Sequence, residues 1–309
     1  MELRHLRYFI VVAEELHFGH AAQRLHIEQS PLSRAIKELE EHLGVRLFDR
    51  TTRSTRLTRA GQVFLEHARR VFAVLEQARN SVEAVAAGYL DQLRVALSDG
   101  ITPPRLSALL AQCRQDDPDI EVRLFEVPLS QQIRGLHDDL YDVGFAQSAE
   151  VGDGIVAEPA WSDPLMVALP ARHPLLVHKR IPLDEVLRYP LVMCDPQSCE
   201  GYGQQIARIL RRADTDPLIA EQVTSLELML TLVAAGYALA LVGASQVIAC
   251  RNGDVVGRPL AGRSPTLITY LLRRNVDPSE TLSRFIDRVS PIGVDTPSHH
   301  TDITKEIKP

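Results

Sequence analysis

Apolar residues recur at steps of three and four from the start of the chain. Leu3, Leu6, Phe9, Ile10, Ala13 and Leu16 give a first helix one apolar face. Phe18-Gly19 reads as its break, and 20–25 as a short second helix whose Ala21 and Ala22 permit close approach by a neighbour. Ser30 is a candidate N-cap with Pro31 at N1, where a missing N–H costs nothing. Leu32, Ile36, Leu39 and Leu43 then form an inward stripe, and Gly44 stops the helix. The outward face of its first turns carries Gln29, Ser30, Ser33, Arg34 and Lys37. These are hydrogen-bonding side chains at the end of a helix that can meet base edges and phosphates.

Beyond this helix, 45–49 and 55–58 read as short strands around the polar turn 50–54. Arg46, Arg50, Arg53, Arg56 and Arg59 fall close together with only Asp49 opposing them, a charge density suited to phosphates or a minor groove. A solvated basic hairpin is the alternative; the neighbouring helix with its polar face favours DNA. Thr58 then caps a long helix. Phe64, Ala68, Val71, Leu75, Ala78, Val82, Val85 and Tyr89 alternate steps of four and three, a heptad seam fit for pairing with a second copy over 59–89.

From Gln92 the pattern changes to short apolar strands alternating with helices. Strands are expected at 93–97, 120–125 and 142–146, with helices from Thr102-Pro103 and over 130–140, which predicts a mainly parallel sheet. A second series places strands at 165–169, 191–193, 220–224 and 239–242, and helices near 183–187, 202–212 and 226–235. Two such lobes in tandem suggest a ligand in the cleft between them, at the carboxyl ends of strands. The uncharged run 228–244 contains Gly236 and Gly243, so it reads as a buried helix, a glycine stop and a buried strand, with no membrane span.

Charge sharpens this division. Residues 1–70 carry 12 Lys and Arg against 9 Asp and Glu, while the whole chain has a formal net charge of −6. A basic head on an acidic body suggests that the head meets an anion and the body has another task. The four cysteines form no CxxC and no disulfide framework. No GxSxG, HExxH, Walker or strand-borne GxGxxG motif occurs, so no catalytic residue and no cofactor is expected. His17, His20 and His26 lack a carboxylate or cysteine to complete a set, so no metal is expected either. The rival classes are an enzyme, or a plain solute-binding protein, with an accessory DNA-binding head. Missing catalytic motifs weigh against the first, and the lack of an export signal, which implies a cytoplasmic protein, weighs against the second.

Residues 3–69, with the elements AAQRLH, QSPLSRAIKELE, LGVRLFDR and LTRAG, resemble the winged helix-turn-helix head of LysR-type transcriptional regulators. DDLYDVGFAQ, ARHPL and LVAAGYALALVGAS resemble the effector domain of the same family. The resemblance implies a largely all-α winged helix-turn-helix plus a long linker helix, followed by an α/β two-lobed domain like periplasmic binding proteins. It implies that Gln29, Ser30, Pro31 and Ser33 approach bases, Arg34 grips the backbone and Arg53 enters the minor groove. Ser30 stands where many relatives have proline or alanine, which should alter operator preference. Implied partners are double-stranded promoter DNA, a small-molecule effector, further copies of the chain as homodimer or homotetramer, and RNA polymerase. The expected divisions are 1–58 for the DNA-binding domain, 59–89 for the dimerisation helix and 90–295 for the effector domain. Within the last, one lobe takes 90–161 and 267–295 and the other 162–266; 296–309 reads as a disordered tail.

MELRHLRYF, LFEV at 124–127 and LVAAG at 232–236 resemble the branch of the family that senses muconate and related aromatic-degradation acids. That branch implies a carboxylate-binding hydroxyl just after the first strand of the body, where Ser98, Asp99 and Gly100 stand. Ser130, Gln197 and Ser198 could add donors, while Asp99 would repel an acid unless it points away or is protonated. Ser98 and Ser130 could equally serve as helix caps. Cys199 lies near the reactive cysteine of the family's peroxide-sensing branch, with Cys194 upstream of it rather than a resolving cysteine downstream, and a redox switch is the alternative function.

Overall fold

The computed structural model describes residues 1–50, 55–98, 101, 103–211, 213, 215–250, 253–262 and 265–293. Arg53, Asp99, Gly100, Thr102 and the tail 296–309 lie outside them. The chain divides into two compact units between Glu83 and Ala84.

The first unit contains α1 (Leu3–Glu15), α2 (Phe18–Arg24), α3 (Gln29–Leu43), β1 (Phe48–Arg50), β2 (Thr55–Leu57) and all but the last turn of α4 (Arg59–Ala86). Its core gathers Leu6, Phe9 and Val12 of α1, Ala21 and Ala22 of α2, the stripe Leu32, Ile36 and Leu39 of α3, and Leu47, Phe48 and Ala68. Phe9 lies at its centre, 5.4 Å from the Phe48 ring and 5.0 Å edge-on to Phe64.

Two expectations about helix starts are corrected. Phe18-Gly19 begins α2 rather than breaking α1: the turn occurs at Leu16, in the left-handed region, and His17 caps α2 by accepting the His20 N–H at 3.2 Å. Ser30 is not the cap of α3. Glu28 holds that position, which puts Ser30 and Pro31 at the second and third helical positions. Proline still costs nothing there, because the first turn's N–H groups have no intrahelical acceptor.

Thr58 does cap α4, its hydroxyl accepting the Gly61 N–H at 2.9 Å. The seam of α4 divides in two. Phe64 and Ala68 pack into the head core, whereas Val71, Leu75, Val82 and Val85 are exposed, the last two about 70% so. The helix ends at Ala86, and Gly88 carries a φ of +93°.

In the second unit, β3 (Asp91–Leu97), α5 (Pro103–Asp116), β4 (Ile120–Glu126), α6 (Leu129–His137) and β5 (Val143–Ala146) make a parallel β-α-β-α-β run. Next comes β6 (Ile155–Pro170), whose first half sequence reading missed. It is followed by α7 (Leu183–Val186), β7 (Leu191–Cys194), α8 (Glu200–Leu210), β8 (Ile219–Val223), α9 (Leu226–Ala234), β9 (Ala240–Gly243) and α10 (Ala244–Ala249). The chain then returns through β10 (Val255–Pro259), β11 (Thr266–Arg274) and α11 (Glu280–Gly293).

The sheet runs β10-β6-β11-β5-β3-β4 with β9 also on β6, and β7 and β8 pair in parallel beside it. The sheet is therefore mixed, not mainly parallel: β11 comes back from the second lobe antiparallel to both β5 and β6. Residues 155–164 of β6 pair with β11, and from Leu165 onward β6 pairs with β9 and β10. One lobe buries Leu93, Val95, Phe145, Trp161 and Phe285, and the other buries a larger cluster around Leu165, Leu191, Tyr202, Met229 and Leu241.

The run 228–244 divides as its glycines suggested. It gives α9, a turn at Gly236 with φ +78°, and the fully buried β9. Among the described residues no helix is long and apolar enough to cross a membrane.

Candidate functional site

Two surfaces carry the predicted chemistry. In the first unit, Leu32, Ile36 and Leu39 fix α3 against the core, so the residues between them turn outward. Gln29, Ser30, Pro31, Arg34 and Lys37 are exposed, and Ser33 is half-buried. Lys37 also pairs with Glu41 one turn along, at 3.5 Å. A Glu40 carboxylate oxygen accepts the Leu47 and Phe48 N–H groups at 2.9 and 3.1 Å, tying the start of the wing to the back of α3. The wing itself pairs Phe48 with Leu57 and Asp49 with Arg56. At the other side of the wing, a Cβ on Gly61 would lie 2.1 Å from the Leu47 carbonyl oxygen, so only glycine lets α4 approach there. Arg24 bridges α2 to Glu14 and Glu15 of α1, and Arg69 of α4 reaches Glu14. A stiff body thus presents one row of donors from α3, with Arg46 and Arg56 exposed nearby.

The predicted effector residues are only partly brought together. Ser98, 5% exposed at the end of β3, spends both its N–H and its hydroxyl on the Phe145 carbonyl, at 3.0 and 3.3 Å. Gln132 of α6 closes the same spot, its amide nitrogen donating to the Ala96 and Phe145 carbonyls. Ser130 is exposed on the first turn of α6, behind the capping Pro128, so it is not a cap. The Gln197 and Ser198 N–H groups and the Ser198 hydroxyl all donate to Asp195 Oδ1. Ser130 and Gln197 both line a cavity of 800 Å³, which neither Ser98 nor Ser198 lines.

Sequence reading placed a helix at 202–212 but gave its side chains no role; as α8 it forms this cavity's wall. The inner face of α8 buries Tyr202, Ile206 and Ile209 in its own lobe, and the Tyr202 hydroxyl donates to the Leu241 carbonyl. Its opposite face reaches the other lobe. Ser148 Oγ donates to Gln204 Oε1 at 3.0 Å, and Arg208 pairs with Glu150. The Gln205 amide donates to the Gln147 and Ile268 carbonyls at 2.6 and 2.7 Å and accepts the Ile268 N–H at 2.9 Å. Since β5 pairs with β11 only from Ala146 and Tyr270, that side-chain amide continues the ladder where the two strands part. Gly201 packs so tightly that a Cβ there would lie 2.8 Å from the Gln147 carbonyl carbon. The signal was present: Gly201, Gln204, Gln205 and Arg208 follow a helical period opposite the apolar face. A second cavity, of 470 Å³, lies on the far side of this contact.

Cys194 and Cys199 are both buried. Cys199 is 2% exposed with its sulfur toward the Thr224 carbonyl, which gives peroxide little access. His17 uses Nδ1 as a cap, and its ring lies tilted against that of His20 with centroids 4.2 Å apart. Among the described residues no three metal-ligating side chains converge.

Comparison with known proteins matches both halves of the chain. Residues 3–62 match the bacterial regulatory helix-turn-helix model of the lysR family, and residues 86–291 match the LysR substrate binding domain. The HTH-type transcriptional regulator YnfL of Escherichia coli is 35% identical over 79% of this chain and 83% of its own. The regulator TfdS of Cupriavidus pinatubonensis is 33% identical over 93% and 97%. The crystal structure of full-length CbnR complexed with its target DNA superposes with a TM-score of 0.74. It has 29% identity and covers 95% of this chain and 100% of that one. With both halves matched in order, the chain belongs to the LysR family of DNA-binding transcriptional regulators.

Proposed function

We propose that the protein binds promoter DNA through the first turns of α3 and the wing, and that a small molecule held between the two lobes of the effector domain changes that binding. The row of exposed donors on α3, held by a fully packed core, is the observation that carries the reading. Gln29, Ser30, Pro31 and Ser33 meet bases, Arg34 and Lys37 meet phosphates, and Arg53 of the wing enters the minor groove. The divisions follow from the same reading: 1–58 reads DNA, 59–89 pairs with a second copy, and 90–295 senses the effector. Exposed Val71, Leu75, Val82 and Val85 on α4 support pairing as a homodimer, two of which make a homotetramer.

The signal passes to RNA polymerase without chemistry on the effector, so neither catalytic residue nor cofactor is needed. Its work on chromosomal DNA belongs to the cytoplasm. An acid from aromatic breakdown is the effector class favoured by the sequence resemblance. Mobility-shift titration of the full-length protein on the DNA upstream of its own gene tests the reading. Binding that survives competitor DNA and changes with an added effector is expected. Failure to shift that duplex even at low salt would overturn it.

A further inference from the structure

The described linings of the two cavities in the interlobe space differ in their charged side chain. In the larger, the one charged side chain among the described lining residues is Glu200, in the first turn of α8. In the smaller, the one charged side chain among the described lining residues is Arg208, two turns along the same helix. Ser130 and Gln197, expected from the sequence to receive an acid, line the cavity with the carboxylate.

We propose that a carboxylate ligand of this domain binds in the Arg208 cavity, not in the cavity formed by Ser130, Gln197 and Glu200. The proposal rests on the reading of this domain as an effector sensor, and moves the acid to the other side of α8. Electrostatics decides the placement. An ionised ligand beside Glu200 meets like charge in a partly desolvated space, whereas beside Arg208 it forms charge-assisted hydrogen bonds. Glu150, which is not among the described lining residues, already demonstrates the geometry, since its carboxylate pairs with Arg208 Nη2. A guanidinium has five donors, so one carboxylate does not exhaust it, and a ligand can share Arg208 or displace Glu150.

The remaining walls describe the rest of the ligand. Ile209, Ile268 and the Tyr270 ring offer apolar surface, and 470 Å³ falls in the size range of small-molecule pockets. The fitting class is a small carboxylic acid with an apolar body. Arg208 stands one turn from Gln204 and Gln205, which hold the other lobe. Occupancy of the cavity is thereby felt by the helix that joins the lobes.

Calorimetry on the full-length protein tests this with benzoate and succinate as probes, each against its neutral amide. The acids are expected to bind and the amides not. Arg208→Gln should weaken the acids about tenfold or more. Arg208 is half exposed, so this substitution leaves the fold intact. Glu150→Gln should strengthen binding by removing a competitor, while Ser130→Ala and Glu200→Gln should leave it unchanged. Acid binding that is lost in Ser130→Ala, or improved in Glu200→Gln, and indifferent to Arg208→Gln overturns the placement. Failure of both acids to bind the wild type overturns it as well. If putrescine then binds and Glu200→Gln abolishes it, the interlobe space is still an effector site and only the acid's place in it is lost.

Discussion

Glu40 shows how much of the DNA-binding geometry depends on single side chains. By accepting two consecutive N–H groups at the base of the wing, one carboxylate sets the angle between recognition helix and wing. Gly61 acts from the other side, where a methyl group would collide with the Leu47 carbonyl. Gly61→Ala is therefore expected to destabilise the head by about 1–3 kcal/mol, read by denaturant unfolding; an unchanged midpoint would mean that α4 shifts freely. On the exposed row, Gln29→Ala or Ser33→Ala should cost about 1–3 kcal/mol of specific binding and spare nonspecific binding. Arg34→Ala should instead lower affinity for every sequence and reduce the logarithmic salt slope by about 0.9, measured by anisotropy across a salt series. Single residues were legible where a side chain faces outward from a strong periodic stripe, as Arg34 does. They were misplaced where backbone choices decide: nothing local to Ser30 reveals that Glu28 starts the helix.

Among elements, α4 and α8 each have two faces with different duties. On α4, Phe64 and Ala68 belong to the head, while Val71, Leu75, Val82 and Val85 are left exposed. Val71→Asp and Leu75→Asp should place a charge in the paired helices and shift sedimentation toward monomer; unchanged mass would refute pairing through this seam. The heptad was visible in sequence because its period is strict, but where one duty passes to the other depends on the head core, assembled from distant residues such as Phe9 and Ile36. On α8 the apolar face was legible. The polar face showed its period but not its partners, which are the Ser148 and Glu150 side chains and backbone groups of Gln147 and Ile268, all distant in sequence.

A short element adds a pH dependence. The 3-10 turn at Pro174–Val177 is capped by His173, whose ring Nδ1 accepts the Leu175 N–H and whose face meets the edge of Tyr189. Burial holds this imidazole below its usual pKa of 6.5. Below that pH the unfolded chain takes up a proton that the folded chain resists. Stability should therefore fall as pH drops through the window beneath 6.5 and stay level above it. His173→Asn keeps an acceptor without titrating. Its melting temperature between about pH 5 and 8 should decline less on acidification than that of the wild type, and parallel curves would exclude His173 as the cause.

Across the whole molecule, alternating strands and helices gave the two lobes, and the glycine-punctuated run gave α9 and β9. The first half of β6 and all of β11 escaped because these strands serve both lobes and so lack a single alternation: β6 changes its buried partners midway. That sharing has a further meaning. Pro164 pairs with Thr266, so residues 165–265 depart from the first lobe and return to it at neighbouring points of one antiparallel ladder. Such partners stand about 5 Å apart, a gap that a two-residue hairpin spans. The second lobe is in effect a graft on a hairpin. Joining Pro164 to Thr266 through Asn-Gly should leave a first lobe that unfolds cooperatively, as followed by circular dichroism; a chain without such a transition would show that the graft supports its stock. If the stock stands alone, recombination could exchange one sensor face while keeping the other, letting signal specificity change without disturbing the chain's hold on its promoter.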